Sequence, residues 1–280
     1  MHPVYLHIKK ELSPFYGEGE ASAMAKWISS DILHLSTMEL YTGKDMNFST
    51  KAWKEVEDIL ARLKQREPLQ YILQEAPFCG LSFHVEKGVL IPRPETEELV
   101  EWMVSDYQEA GKVRILDIGT GSGCIPVTLA ERLPEAVVAS CDVSAEALRV
   151  AAVNVKRYGD KVTLFQADIL QDELPDCRVD VLVSNPPYIT DSERKDMEEN
   201  VLGWEPELAL FVPDTDPLRF YRRIARKGLD WLTEGGALYF EINRAYGAET
   251  VRMLEACGYR DIALRKDLSG NDRMIKAVRP

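Results

Sequence analysis

From residue 113 onward, short apolar strand-like runs alternate with amphipathic helix-like segments, and this alternation restricts the possible folds more than any other feature. Such an alternation builds a mostly parallel sheet with helices on both faces, which is a doubly wound α/β domain. Ligands of these domains bind outside the carboxyl ends of the strands. The predicted strands are residues 113–118, 137–141, 162–166, 179–184 and 237–242, and the predicted helices are residues 124–133, 145–158, 217–232 and 248–257.

The last two strand candidates, residues 261–265 and 274–278, have no helix between them. Parallel neighbours need a crossover connection, whereas antiparallel neighbours need only a short loop. We therefore predict an antiparallel pair at the end of an otherwise parallel sheet.

The N-terminal part of the chain lacks strand-like runs and has helical patterns instead. Residues 50–65 carry apolar side chains at helical spacing, and residues 5–15 and 21–35 show a weaker pattern of the same kind. These segments predict a small helical bundle.

A β-hairpin is predicted where the helical patterns stop. Residues 81–85 alternate between apolar and polar, residues 86–88 contain a glycine turn, and the apolar run 89–91 follows. Pro94 and the acidic residues after it predict a helix over 94–109, because carboxylates favour a helix N-terminus. The expected organisation is a helical domain over residues 1–75, a hairpin linker over 76–92 and an α/β domain over 93–280.

The chain of 280 residues is acidic, with 34 Lys and Arg against 46 Asp and Glu and a formal net charge of −12. A general nucleic-acid binder needs cations that displace counterions from phosphates, so we expect no direct binding of nucleic acid. No apolar run approaches the roughly 18–20 residues of a membrane span, and the N-terminus lacks a secretory signal pattern. We expect a cytoplasmic protein that binds no membrane.

The five cysteines and four histidines are scattered, with no Cys-x-x-Cys pair and no histidine at metal-ligand spacing. This pattern argues against a disulfide framework and against a structural zinc site. We expect no metal and a reducing compartment.

A glycine loop, residues Gly119, Thr120, Gly121, Ser122 and Gly123, lies between a predicted strand and a predicted helix. Glycines allow a backbone to approach a ligand closely, and the following helix N-terminus offers unpaired N–H groups. The dinucleotide fingerprint G-x-G-x-x-G is incomplete, because Cys124 occupies the position of its third glycine. The loop alone is also compatible with a simple tight turn.

Two aspartates follow the next two predicted strands. Asp142 is placed to accept hydrogen bonds from the hydroxyls of a ribose, although it could instead cap the helix that starts near Ser144. Asp168 could bind an adenine amine while Ile169 packs on the adenine ring, or it could cap a strand end. These features are compatible with both NAD and S-adenosylmethionine.

The run Asn185-Pro186-Pro187-Tyr188 at the end of the strand 179–184 favours methyl transfer to a planar amide or amine. The side-chain oxygen of Asn185 and the carbonyl of Pro186 could hold the two N–H groups of such a substrate and stabilise the developing positive charge. The prolines fix the backbone, and Tyr188 offers a face for stacking. We predict Asn185 and Pro186 as catalytic residues, and all four as substrate-binding residues. The alternative is a rigid surface turn.

With these motifs, the sequence resembles the HemK/PrmC family of protein-glutamine methyltransferases over nearly its whole length. The most specific block is Pro92-Arg93-Pro94-Glu95-Thr96-Glu97, because Asn-Pro-Pro-Tyr also occurs in amino-methylating DNA enzymes. The other blocks are residues 66–72, the glycine loop, Asn-Pro-Pro-Tyr, Glu205-Pro206 with Ala209-Leu210, and residues 265–273.

This resemblance implies a Rossmann-like class I S-adenosylmethionine-dependent methyltransferase domain with an N-terminal helical bundle. It implies methylation of the glutamine side chain in the Gly-Gly-Gln motif of class I peptide chain release factors, with the helical bundle recognising the release factor. It also implies that Gly119 to Gly123, Asp142 and Ile169 line the site of S-adenosyl-L-methionine. Residues Asn185 to Tyr188 would hold the glutamine, with Asn185 also near the cofactor.

Two segments depart from the family pattern. Residues 214–218 replace a usual glycine-rich stretch, and residues 243–246 lack the glycine and glutamine that usually follow Glu-Ile. We expect these departures to change local loop shape and to spare the chemistry.

Three alternatives have different requirements. An adenine-amine DNA methyltransferase would need a basic groove, which the acidic composition does not favour. A glutamine methyltransferase acting on a ribosomal protein would be built alike, and the Pro-Glu-Thr-Glu run weighs against it. An inactive adaptor that only binds cofactor is disfavoured by the intact Asn-Pro-Pro-Tyr.

Overall fold

The computed structural model describes residues 1–43, 48–172 and 178–280. The chain divides into two compact units. The first, called the helical unit below, comprises Met1–Leu73 and Glu199–Trp204. The second, called the sheet unit, comprises Gln74–Glu198 and Glu205–Pro280.

The helical unit contains the predicted N-terminal helices, with one difference. The expected helices 5–15 and 21–35 lie within one span, Pro3–Asp31, in which a non-helical backbone conformation at Gly17 separates two helical stretches, and the second stretch ends at Asp31 instead of residue 35. Ile8, Leu12 and Leu60 are completely buried in the core of this unit. Its first four helices are α1 (Pro3–Asp31), α2 (Thr37–Thr42), α3 (Thr50–Leu63) and α4 (Leu69–Leu73).

The β-hairpin at the start of the sheet unit has different strands from those predicted. Strand β1 (Glu75–Phe78) pairs antiparallel with β2 (Leu81–His84), whereas residues 85–91 form no strand. The reason is a two-residue turn at Cys79 and Gly80, which both have positive φ, as tight hairpin turns require. The predicted strand over 89–91 is therefore wrong. Val89 and Ile91 are buried as part of a loop, and Leu90 is half-buried.

The remaining elements follow the predicted alternation closely. The first part contains α5 (Pro94–Tyr107), β3 (Arg114–Ile118), α6 (Cys124–Arg132), β4 (Val137–Asp142), α7 (Ala145–Arg157), β5 (Val162–Gln166) and β6 (Val179–Ser184). Next come β7 (Ile189–Thr190), a 3₁₀ helix over Asp191–Asp196, α8 (Glu199–Trp204), α9 (Glu207–Leu210) and β8 (Phe211–Val212). The chain continues with α10 (Arg219–Trp231), β9 (Leu232–Glu241), a 3₁₀ helix over Arg244–Tyr246, α11 (Gly247–Cys257), β10 (Arg260–Lys266) and β11 (Asp272–Val278).

In the part of the chain that the structure describes, seven strands form the central sheet in the order β10-β11-β9-β6-β3-β4-β5. The five strands from β9 to β5 in this order run parallel, and β11 is antiparallel to both of its neighbours. The predicted antiparallel final pair is therefore confirmed. Ile118 pairs with both Cys141 and Ser184, so the carboxyl ends of β3, β4 and β6 lie side by side.

Helices cover both faces of the central sheet. Successive side chains on a strand point to opposite faces, and Ile115 and Leu116 accordingly join two different apolar clusters. Helix α5 contributes Leu99 to the cluster of Ile115, and α10 contributes Ile224 to the cluster of Leu116. Burying a leucine or isoleucine side chain contributes about 1.5–3 kcal/mol, so these layers hold the strand ends in place.

Two kinds of feature are absent from the described residues. No helix in residues 1–43, 48–172 and 178–280 is long and apolar enough to cross a membrane. In the same ranges, no group of His, Cys, Asp or Glu side chains is arranged to hold a metal ion.

Candidate active site

A cavity of about 350 Å³ lies at the carboxyl ends of the parallel strands, where ligands of such sheets bind. Its wall contains the first four residues of the glycine loop, both aspartates and three residues of Asn-Pro-Pro-Tyr. Gly123 and Tyr188, which were also predicted as site residues, are not part of this wall. The predicted residues that line the cavity are Gly119, Thr120, Gly121, Ser122, Asp142, Asp168, Ile169, Asn185, Pro186 and Pro187.

The glycine loop requires its glycines. Gly119, Gly121 and Gly123 have φ values of 85°, 54° and 84°, which side-chain-bearing residues rarely adopt. At Gly123, a Cβ would also lie 3.3 Å from Cβ of Ala151, so helix α7 packs closely against the loop. Gly119 and Gly121 therefore leave backbone without a side chain at the cavity wall.

Asp142 connects the glycine loop to the start of helix α7 by hydrogen bonds. One carboxylate oxygen accepts from the backbone N–H of Gly121 at 2.9 Å, and the other accepts from that of Ser144 at 2.9 Å. The N-cap of α7 is Ser144, whose hydroxyl accepts from the N–H of Ala147. Burial raises the pKa of Asp142, and the two backbone N–H groups oppose that rise. Its binding to a ribose stays a prediction.

Asp168 stabilises the turn after β5. Its carboxylate accepts from the backbone N–H of Leu170 at 2.8 Å and from the side-chain amide of Gln171 at 2.8 Å. Ile169 is buried and contributes to the cavity wall. The turn explains the position of Asp168 without a ligand, so its contact with an adenine stays a prediction.

Asn185 directly follows β6 and lines the cavity. Its amide nitrogen donates to the hydroxyl oxygen of Thr96 at 3.1 Å. The hydroxyl of Thr96 in turn donates to a carboxylate oxygen of Glu241 at 2.5 Å. Thr96 and Glu241 are both almost completely buried. Neither was assigned a role on sequence grounds.

Tyr188 contacts the same carboxylate from the other side. Its hydroxyl donates to Glu241 at 2.9 Å, and a guanidinium nitrogen of Arg273 lies 3.5 Å from the hydroxyl oxygen. Burial raises the pKa of Tyr188 well above its ordinary value, so the phenol is neutral. Its predicted stacking against a substrate stays a prediction.

An ion pair between the half-buried Arg93 and the buried Glu205 lies at the start of α5. Glu205 accepts from the guanidinium of Arg93 at 2.5 Å and from the backbone N–H of Ile91 at 3.2 Å. Arg93 and Thr96 both line the cavity. Both belong to the block Pro92 to Glu97, which is the most specific part of the family resemblance. No role was assigned to this block from the sequence, and its specificity is the signal that could have identified both residues.

The two departures from the family pattern form definite contacts. Asn243 donates from its amide to the backbone carbonyl of Tyr188 at 3.0 Å and to Glu193 at 2.9 Å. Asp214 accepts from the backbone N–H of Ser192 at 3.0 Å. These contacts support the segment that follows Asn-Pro-Pro-Tyr.

Comparisons with known proteins identify the class of this fold. Residues 95–202 match the family model described as the methyltransferase small domain, and residues 7–73 match the PrmC N-terminal domain. A crystal structure of a methyltransferase from Pyrococcus furiosus is similar over 79% of this chain and 98% of its own, with 16% identity and a TM-score of 0.53. A METTL16 methyltransferase domain is similar over 77% of this chain and 96% of its own, with 19% identity and a TM-score of 0.53. The fold and the glycine-lined cavity are those of a Rossmann-like methyltransferase.

Full-length relatives narrow this class. A release factor glutamine methyltransferase from Bacteroides thetaiotaomicron is 47% identical over 280 residues, which is the whole of both chains. One from Flavobacterium psychrophilum is 42% identical over 95% of this chain and 94% of its own. The chain therefore belongs to the family of release factor glutamine methyltransferases. The predicted fold class and enzyme class are confirmed.

Proposed function

We propose that the protein transfers a methyl group from S-adenosyl-L-methionine to the side-chain amide nitrogen of the glutamine in the Gly-Gly-Gln motif of class I release factors. The observation that carries this proposal is the position of Asn185 and Pro186 beside the glycine loop in one cavity, in a chain of this family. As release factors work on ribosomes, we propose the cytoplasm as its location.

The cavity has the chemistry that the proposed cofactor needs. Asp142 offers carboxylate oxygens for ribose hydroxyls, and Ile169 offers an apolar surface for an adenine. The glycine loop allows close approach of the polar end of the ligand. When bound, S-adenosyl-L-methionine supplies an electrophilic methyl group.

The amide nitrogen of glutamine is a poor nucleophile, because its lone pair is delocalised into the carbonyl. In the proposed mechanism the side-chain oxygen of Asn185 and the backbone carbonyl of Pro186 each accept one N–H of the substrate. These two acceptors orient the nitrogen and stabilise the positive charge that develops on it. The prolines hold the acceptors rigid before the substrate arrives. The proton can leave after transfer, so no strong general base is needed.

The proposed substrate also suits the partner expected for an acidic chain. A glutamine on a protruding loop can enter a narrow site, and the two glycines before it remove side chains that would block the approach. The net charge of −12 favours a partner with a basic face. We propose residues 1–75 as the domain that recognises the release factor, and residues 93–280 as the catalytic domain.

The test is methyl incorporation from labelled S-adenosyl-L-methionine into three substrates: a class I release factor, its Gln→Ala variant at the Gly-Gly-Gln motif, and duplex DNA. We expect labelling of the unmodified release factor alone, with mass spectrometry placing the methyl group on the glutamine side chain. Labelling of DNA would favour the adenine-amine alternative. Equal labelling of the Gln→Ala variant would contradict the proposed site. A ribosomal protein added as a fourth substrate, if labelled in preference to the release factor, would favour the ribosomal-protein alternative.

A further inference from the structure

A chain of buried hydrogen bonds behind Asn185 has a fixed direction. It begins at the Asn185 amide, passes through the hydroxyl of Thr96 and ends on the carboxylate of Glu241. All three residues belong to the sheet unit. The Asn-Pro-Pro-Tyr chemistry proposed above uses Asn185 but gives no role to the other two.

The hydroxyl of Thr96 decides the direction. A threonine hydroxyl has a single proton, and in Thr96 this proton is donated to Glu241. The Thr96 oxygen can then only accept on its other side. Asn185 must therefore turn its NH₂ group toward Thr96, and its Nδ2 lies 3.1 Å from Oγ1 of Thr96.

The orientation of Asn185 follows from this arrangement. With the nitrogen on Thr96, the amide oxygen is the atom left for the cavity, and none of the described residues donates a hydrogen bond to it. A flipped amide would place its oxygen against the oxygen of Thr96, with no proton between the two acceptors. The flip would also present a donor to the cavity.

Glu241 accepts one hydrogen bond on each of its carboxylate oxygens. It receives the hydroxyls of Thr96 and Tyr188, and the positive charge of Arg273 lies nearby. Burial raises the pKa of Glu241, as does the charge of Glu95, whereas both hydroxyls and Arg273 lower it. Arg273 is held by Asp267, whose carboxylate accepts from its Nε at 3.1 Å.

We propose that Thr96 and Glu241 are positioning residues that fix the side-chain amide of Asn185 with its oxygen toward the reacting nitrogen. This inference rests on the proposed function. It also makes the pair a determinant of specificity: a site that presents acceptors binds the NH₂ of a glutamine and rejects the carboxylate of a glutamate. The pair acts through Asn185.

The test compares three variants at the pair with one control. We expect Thr96→Val and Glu241→Gln to lower the rate of methyl transfer to the release factor by about 10–100-fold. This is the range found when the hydrogen-bond partners that orient metal-ligating side chains are removed. Thr96→Ser keeps the hydroxyl and should stay close to the wild-type rate. Thr250→Val is the matched control, since Thr250 is also buried and donates to a backbone carbonyl, but lies on α11. It should leave the rate unchanged.

Two further measurements separate positioning from a general loss of structure. The affinity for S-adenosylhomocysteine should be unchanged in Thr96→Val. In an Asn185→Ala background, Thr96→Val should have no further effect on the residual rate, because its only route is through Asn185. A full effect of Thr96→Val in that background, or an equal loss in Thr250→Val, would overturn the proposal.

A spectroscopic readout tests the pair independently of the substrate. The side-chain NH₂ signal of Asn185 can be assigned in the ¹⁵N spectrum by its loss in Asn185→Asp. We expect it to shift in Thr96→Val and to stay in place in Thr96→Ser and Thr250→Val. If the wild-type protein fails to methylate glutamine while this pattern holds, the proposed function is wrong and the positioning is correct. An unchanged signal in Thr96→Val would overturn the positioning itself.

Discussion

At the scale of single residues, two carboxylates near the glycine loop have different surroundings. Asp142 accepts two backbone N–H groups at the cavity wall. Asp117 is completely buried under the loop and accepts from the hydroxyl of Ser140 at 2.5 Å. Burial raises the pKa of both, and that of Asp117 reaches about 7. Asp142, at the cavity wall, is therefore suited to bind a ligand. Asp117, which is completely buried, affects the stability of the fold.

We predict that Asp142→Ala mainly weakens cofactor binding. The substitution removes the proposed ribose acceptors, and each charge-assisted hydrogen bond contributes about 1.5–3 kcal/mol. Calorimetric titration with S-adenosylhomocysteine measures the effect. Unchanged affinity would mean that Asp142 only holds the loop and the start of α7.

Asn185→Ala should abolish turnover while the fold and cofactor affinity remain largely intact. Losing one preorganised polar group of an active site commonly costs about 100–1000-fold in rate. Asn185→Asp should also fail, because it adds a charge that must be desolvated against the substrate amide. Methyl transfer to the release factor is the measurement. Retention of more than about a tenth of the wild-type rate in Asn185→Ala would contradict the amide-binding mechanism.

Asp117→Asn tests the consequence of the raised pKa for stability. The folded protein keeps a proton on Asp117 up to about pH 7, whereas the unfolded chain releases it near the ordinary value of 3.8. The resulting stabilisation is complete below that value and is lost as the pH rises toward 7. Between pH 5 and 8, the free energy of unfolding should therefore fall by about 2–3 kcal/mol more in wild type than in Asp117→Asn. Denaturant unfolding at both pH values measures this, and parallel pH profiles would contradict it.

At the scale of secondary-structure elements, the sequence predicts the sheet well and the hairpin poorly. The parallel strands are buried apolar runs, so their pattern is strong and local. The hairpin depends on Cys79 taking a positive φ, which is unusual for a residue with a side chain. The two-residue strands β7 and β8 are too short to have any pattern.

The same distinction applies to the candidate site. Gly119 to Gly123, Asp142 and Asn185 were predicted because each follows a strand, and strand ends meet at one edge of the sheet. Thr96 and Glu241 lie 145 residues apart in the sequence and meet only in the fold. Nothing in local periodicity relates them.

The close packing of α7 against the glycine loop gives a prediction for Gly123→Ala. The substitution forces a side chain into positive φ, which costs about 1–2 kcal/mol, and brings Cβ within 3.3 Å of Cβ of Ala151. The loop must then shift, and affinity for S-adenosylhomocysteine should fall. Gly159→Ala is the control, because Gly159 has a similar φ of 87° but only an ordinary contact at 3.8 Å. It should lower stability alone. Equal affinities in the two variants would contradict the role of the loop.

At the scale of the whole molecule, the acidic charge gives a prediction about partner binding. A net charge of −12 attracts a basic protein surface. Physiological salt screens this attraction beyond about 8–10 Å. Raising the salt concentration should therefore slow association with an intact release factor. A short Gly-Gly-Gln peptide forfeits the proposed contacts to the helical domain and should be a much poorer substrate with a weaker salt dependence. The measurement is kcat/KM for both substrates across a salt series, with S-adenosylhomocysteine affinity as the control for effects on the cavity itself. If the peptide and the intact release factor had equal kcat/KM values, the helical domain would have no part in substrate recognition. A release factor whose kcat/KM is independent of salt would show that charge attraction does not speed its association with this protein.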